Sequence, residues 1–141
     1  MGSRDLMVVV TSVGTEEQAL DVAHALVRGR HAACVNIVPN IHSVYRWKGR
    51  ICDDGEMLLL IKTRAASFEA VRETIHKVNT YELPEVLAYR VDWASPGFAE
   101  WIEKMTVGRK VARAVAAKRG RTAARKAAPG SRPRARSRAN A

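Results

Sequence analysis

The stretch Ala33–Thr63, ACVNIVPNIHSVYRWKGRICDDGEMLLLIKT, decides the fold. It is apolar, β-branched and aromatic, and polar Lys48-Gly49-Arg50 breaks it near the middle. Two such runs around a Gly-containing turn predict a β-hairpin. Each arm spans about fifteen residues, whereas strands in globular proteins usually run about five or six. Arms of that length overshoot a small sheet and leave a long apolar edge. Folded proteins cover such edges, because bare strands pair with other chains. Another copy of the same chain is the economical cover, so the hairpin bears on oligomeric state before it bears on chemistry.

Details inside the hairpin set further expectations. Pro39 donates no ladder hydrogen bond and predicts an edge position, a bulge or a bend. Asp53-Asp54-Gly55 predicts a bulge or second turn in the return arm. Met57–Ile61 shows no alternation, as a strand covered on both faces would. With the turn near Gly49, Cys52 falls opposite a residue near Arg46, and Cys34 opposite one near Thr63. The two cysteines are therefore not partners within the hairpin. Both read as free thiols of a reducing cytoplasm.

Outward from the hairpin, Leu6–Thr11 (LMVVVT) reads as a short buried strand. Thr15 is placed to cap a helix whose first turn holds Glu16, Glu17 and Gln18. Ala19, Val22, Ala23, Leu26 and Val27 recur at helical spacing, and Gly29 ends the helix. Ser67 is the expected cap of a second helix, with Phe68, Val71, Ile75 and Val78 as its apolar stripe. Tyr81-Glu82-Leu83-Pro84 is a loop leading into a fourth strand, Glu85–Trp93. Ser95-Pro96 starts a third helix, proline being suited to the first helical position. Phe98, Trp101, Ile102 and Met105 form its apolar face. The order β-α-β-β-α-β-α is α+β, the ferredoxin-like split βαβ arrangement plus a terminal helix.

The chain divides into a body, residues 1–108, and a C-terminal extension, residues 109–141. Of 141 residues, 47% are apolar, enough for a real core. The net charge of +10 is unevenly placed. The body holds 12 Lys and Arg against 14 Asp and Glu, whereas the extension holds the remaining 12 cations and no acid. Its Ala, Arg, Lys, Gly, Pro and Ser predict disorder, with transient helix up to Ala128. No segment reads as a signal peptide, and no window approaches the roughly 18 apolar residues of a membrane span.

Four segments in order carry a family resemblance: Cys34-Val35-Asn36-Ile37, Tyr45-Arg46-Trp47-Lys48-Gly49, Lys62-Thr63 and Tyr81-Glu82-Leu83-Pro84-Glu85. From about Leu6 to about Met105 the chain resembles the CutA divalent-cation-tolerance family. The resemblance implies a ferredoxin-like subunit in a compact homotrimer, similar in architecture to the trimeric PII signalling proteins. It implies tolerance to and binding of divalent cations, copper above all, and no enzymatic activity. One departure stands out. The family commonly shows His-Pro-Tyr-Glu ahead of the loop proline, where this chain has Asn79-Thr80-Tyr81-Glu82, and His76 lies one helical turn earlier.

Copper favours thiolate and imidazole, and Cu(II) also accepts oxygen. Cys34, His76 and Glu82 are the candidate metal ligands. None belongs to a spaced signature such as CxxC or HExxH, so a site has to assemble in three dimensions across subunits. Cys34 reads equally as a small buried hydrophobe. Tyr45, Trp47, Glu56, Lys62 and Tyr81 are candidates to line a cleft between subunits. There a lysine among aromatics would hold a small anionic ligand. Trp47 reads better as an interface anchor, and Lys62 needs a carboxyl partner, Glu82 or Glu85. His24, His31 and His42 receive no role, although His31 is placed to meet the carbonyl end of the first helix. No catalytic set emerges. In the extension, Arg109, Lys110, Arg113, Lys118, Arg119, Arg121, Arg125 and Lys126 are candidates for nonspecific nucleic-acid contact.

Overall fold

A computed structural model describes residues 5–106. Four strands and three helices follow in the order β1 (Leu6–Val13), α1 (Glu16–Arg28), β2 (Cys34–Trp47), β3 (Arg50–Arg64), α2 (Phe68–Val78), β4 (Leu87–Arg90) and α3 (Pro96–Met105). The strands form one sheet in the order β2-β3-β1-β4, with every neighbouring pair antiparallel. This is the strand order of a split βαβ unit, in which β1 and β3 lie at the centre. The expected disorder of residues 109–141 lies outside the described residues.

The hairpin arms are 14 and 15 residues long, as the sequence predicts. Trp47 pairs with Arg50, so the turn is a two-residue loop, Lys48-Gly49, with φ of 49° and 77°. Two positive φ values in such a loop match the right-handed twist of the strands it joins. The irregularity falls at Pro39, where Pro39 and Asn40 stand against Met57 alone and Asn40 has φ of 56°. The second bulge or turn expected at Asp53-Asp54-Gly55 is absent. Asp53, Asp54 and Gly55 pair in unbroken register with Val44, Ser43 and His42. Both cysteine partners also shift by one residue. Cys52 faces Tyr45 and Cys34 faces Lys62, because the two-residue loop and the bulge set the register. Both thiols are free.

Thr15 caps α1, its hydroxyl accepting from the Gln18 amide at 3.1 Å. At the other end, the left-handed residue is Arg30 (φ 57°), not Gly29 (φ −74°). The Arg30 amide donates to the Val27 carbonyl and the His31 amide to that of Leu26, the paired bonds of a Schellman ending. Glycine is needed at 29 for another reason. A Cβ there would sit 2.7 Å from Cδ2 of His31. The His31 ring thus packs on Gly29. Its buried Nδ1 has no hydrogen-bond partner among the described residues, so the expected contact with the helix carbonyls is made by the backbone amide instead. The second helix differs at its start. A 3-10 turn, Ala65–Ser67, leads into α2, and the Ser67 hydroxyl makes no capping bond. The fourth strand is shorter than predicted, because only Met7–Val10 of β1 pair with it.

The sheet has two unequal faces. On one, Val9, Val13, Leu59 and Ile61 are buried under Ala19, Val22 and Leu26 of α1 and Val71 and Ile75 of α2. On the other, α3 covers one end only, where Ala99 and Ile102 pack with Leu6 and Ala33. The rest of that second face is partly open and mostly apolar, with Asn36 and Lys62 as polar members. By register it carries Val8, Val10, Val38, Leu58, Leu60, Leu87 and Tyr89. Leu87 is 48% and Tyr89 57% exposed. Met57–Ile61 is therefore covered by helices on one side only. No described helix is long and apolar enough to cross a membrane.

Candidate functional site

The loop after α2 meets the hairpin in a polar strip. Glu56, in the middle of β3, is only 4% exposed. Its Oε2 accepts a 2.6 Å hydrogen bond from the Tyr81 phenol. Two residues along the same side of β3, Asp54 accepts from the Tyr45 phenol. Nearer the tip, the Lys48 ammonium lies 3.1 Å from Glu82 Oε2 and 5.6 Å from the centre of the Trp47 ring. Both members of that ion pair are well exposed, so it holds position weakly.

Local chemistry fixes the loop. Asn79 is buried, and its amide donates to the Ser12 carbonyl at 3.3 Å and accepts from the Tyr81 backbone amide at 2.9 Å. Gln18 of α1 donates to the Val78 carbonyl at 2.7 Å and accepts from the Thr80 hydroxyl at 3.1 Å. Residue 79 therefore sets the path of the backbone that aims Tyr81 at Glu56. The sequence reading missed this role for Asn79 and Gln18, and it missed Asp54 and Lys48 as partners. A buried amide directly after an apolar stripe was the available signal, because a buried polar group needs partners.

The candidate cleft residues divide. Tyr45, Trp47, Glu56 and Tyr81 lie along the strip. Lys62 does not. It stands opposite Cys34, six residues from Glu56 along β3, or about 20 Å at the rise of an extended strand. The Glu82 carboxyl expected for Lys62 pairs with Lys48 instead. The strip thus carries the carboxyls of Asp54, Glu56 and Glu82, with the ammonium of Lys48 and, opposite Trp47, the guanidinium of Arg50 toward the tip.

The candidate metal ligands lie apart. Cys34 is half-buried at the start of β2, His76 is exposed in the last turn of α2, and Glu82 is engaged with Lys48. Among the described residues, no three or more His, Cys, Asp or Glu side chains are grouped to hold a metal ion. His42 Nδ1 and Asp53 Oδ1 form a mixed donor pair 3.3 Å apart, both well exposed. The described residues of this chain therefore do not by themselves form a divalent-cation site.

The model of the CutA1 divalent ion tolerance protein family matches residues 7–105. The chain belongs to the CutA1 family. It is 39% identical over 99 residues to the divalent-cation tolerance protein CutA of Thermus thermophilus, a match spanning 70% of this chain and 96% of that one. It is 41% identical over 91 residues to protein CutA of Mus musculus, 64% of this chain and 51% of that one. The chain thus spans nearly all of the bacterial CutA but about half of the mouse one. The solved Cut A1 structure of Thermus thermophilus superposes with a TM-score of 0.71 at 38% identity, over 72% of this chain and 99% of that one. CutA1 of Oryza sativa gives 0.71 at 36% identity, over 72% and 94%. The CutA1 body is therefore the described fold, one antiparallel four-stranded sheet with three helices. The family's names describe tolerance of divalent ions rather than a catalysed reaction.

Proposed function

We propose that this protein is a non-enzymatic homotrimer of the cytoplasm that binds divalent cations, Cu(II) foremost, with ligands drawn from more than one subunit. The half-open apolar second face of the sheet carries this reading. Val8, Val10, Leu58 and Leu60 are partly exposed on that face, beside exposed Leu87 and Tyr89, and contiguous apolar surface of this kind marks interaction sites. Further copies cover it at a gain of about 25 cal/mol per Å² of apolar surface. Membership of a divalent-ion tolerance family supports the cation. The scattered donors Cys34, His76 and Glu82 support a shared site, since one chain does not bring them together.

A PII-like lateral cleft for a small anionic ligand or partner is the second reading. The buried Glu56–Tyr81 pair supports a built cleft there, but Lys62, the cation expected to hold the anion, lies about 20 Å away along β3. Calorimetric titration of the full chain with Cu(II), with mass by light scattering on the same sample, separates the two. Saturable uptake at one ion per chain or a simple fraction, lost in Cys34→Ala, is the expected result. Weak uptake without stoichiometry would overturn the metal reading, and a monomeric mass would overturn the trimer.

A further inference from the structure

We infer that α3 is a cover on the second face of the sheet that opens as a unit, and that Arg30 is the latch that holds it shut. Packing holds this cover lightly. The helix has ten residues, and beneath it lies a small cluster of its own, Leu6, Ala33, Ala99 and Ile102, separate from the main core under α1 and α2. The Ser95 side chain makes no capping bond at its start. The neighbouring stripe of the helix, Phe98, Trp101 and Met105, is exposed. A segment with few buried side chains, set apart from the main core, opens at a lower free energy than the whole domain.

The far end of α3 is tied down by side chains from other elements. The last carbonyls of a helix have no partner within it. Here the Thr106 hydroxyl donates to the Ile102 carbonyl at 2.8 Å. The Arg30 guanidinium, just past α1, donates to the carbonyls of Lys104 and Met105. The Arg64 guanidinium, at the end of β3, donates to that of Thr106. Such bonds are charge-assisted and set cations at the negative end of the helix dipole. The backbone at Arg30 carries strain. Among the described residues, four other than glycine have positive φ: Asp5, Arg30, Asn40 and Lys48. Asp and Asn adopt this conformation most readily, and Lys48 sits in a turn that requires it. Arg30 has neither reason. Helices ordinarily end on glycine at this position, yet an arginine holds it at φ 57°. Strain of this kind persists where surrounding contacts over-determine it, commonly at functional contacts. What arginine does there and glycine would not is hold α3. Opening uncovers Leu6, next to Val8 and Val10 along β1, so the latch sets how much of the second face is bare. That this face then meets other copies rests on the trimer proposed above, whereas the latch does not.

The test is amide hydrogen exchange, read segment by segment in the full chain, for the wild type, Arg30→Gly and Arg30→Lys. In the wild type the α3 amides are expected to exchange together and faster than those of α1. Arg30→Gly removes the guanidinium and also relieves the left-handed strain, so its two effects have opposite signs. It should speed α3 exchange by about tenfold or more, the equivalent of one lost charge-assisted bond. The urea midpoint of the whole fold should stay or rise. Arg30→Lys keeps the charge without the planar fork and should fall between the two. Unchanged α3 exchange in Arg30→Gly would overturn the latch. Equal acceleration in α1 and α3, or wild-type α3 amides as slow as those of α1, would overturn the separate opening. Light scattering on the same samples keeps the two ideas apart. A monomer with the expected exchange sinks the trimer and leaves the latch standing, and a trimer with unchanged α3 exchange sinks the latch alone.

Discussion

The Tyr81 phenol and the Glu56 carboxyl, 25 residues apart in sequence, meet at 2.6 Å and join the loop after α2 to the middle of β3. Glu56 is among the few buried polar residues of the sheet, so this bond supports both the loop and the polar strip. Tyr81→Phe keeps the ring and removes the donor. We expect a loss of about 1–3 kcal/mol, read from urea unfolding, because a buried acceptor then loses a partner. A change within about 0.5 kcal/mol, the scatter of neutral surface substitutions, would show that the bond contributes nothing.

Gly29→Ala tests the contact with His31. Alanine is ordinarily the better residue near a helix end, by about 0.4–1 kcal/mol where the backbone permits it. The φ of −74° does permit it, but the new Cβ would lie 2.7 Å and 2.8 Å from two atoms of the imidazole. We expect Gly29→Ala to lower the unfolding midpoint, by about 1 kcal/mol of overpacking. The Gly29→Ala/His31→Ala double variant should lose less than this increment relative to His31→Ala alone, with only the 3.0 Å approach to the Ala25 carbonyl remaining. A penalty of equal size in both backgrounds would place the clash elsewhere.

Acid should weaken the fold through His31. Burial holds its imidazole below the ordinary histidine value, against a smaller upward pull from the Glu73 carboxyl. On acidification the unfolded chain therefore takes up this proton first, near pH 6.5. The contribution is complete above that value and is lost as pH falls through it toward the lower folded value. The wild type should lose more stability between about pH 7.5 and 5.5 than His31→Gln. Equal losses would remove His31 as a cause.

The open sheet face gives a test of assembly. Leu60 pairs with Val10 and Asn36 on the face away from α1 and α2 and is half-buried in the single chain. Leu60→Lys sets a charge on the surface proposed to meet other subunits. Light scattering should show a monomeric mass with the far-ultraviolet dichroism retained. An unchanged mass would mean that this face does not make the interface.

Much of the fold was legible because its signals are local. Thr15 announced its cap, Ser95-Pro96 the start of α3, and the apolar periodicities of α1 and α2 the face each buries. The long hairpin arms stood out because about thirty β-forming residues surround one turn. Tyr81, Glu56 and Tyr45 stood out in the sequence by residue type. Their bonds were not legible, since Tyr81 reaches Glu56 only once Asn79 and Gln18 have fixed the loop. Of the two partners expected for Lys62, Glu82 pairs with Lys48 instead, because the loop after α2 brings it to the hairpin tip rather than to the far end of β3.

What the sequence alone determined here is the list of elements, their order and the sheet they imply, together with the separation of a near-neutral body from a basic extension. These follow from side-chain period, capping and charge, which act over a few residues. The tertiary structure decided the register, the end of α1 and the pairing of charges. One extra residue at Pro39-Asn40 and a two-residue loop shifted both cysteine partners by one place. A left-handed Arg30 ended α1 and sent its guanidinium to carbonyls more than seventy residues away. Such choices depend on where distant segments meet. That is settled by packing the whole chain, and no local pattern encodes it.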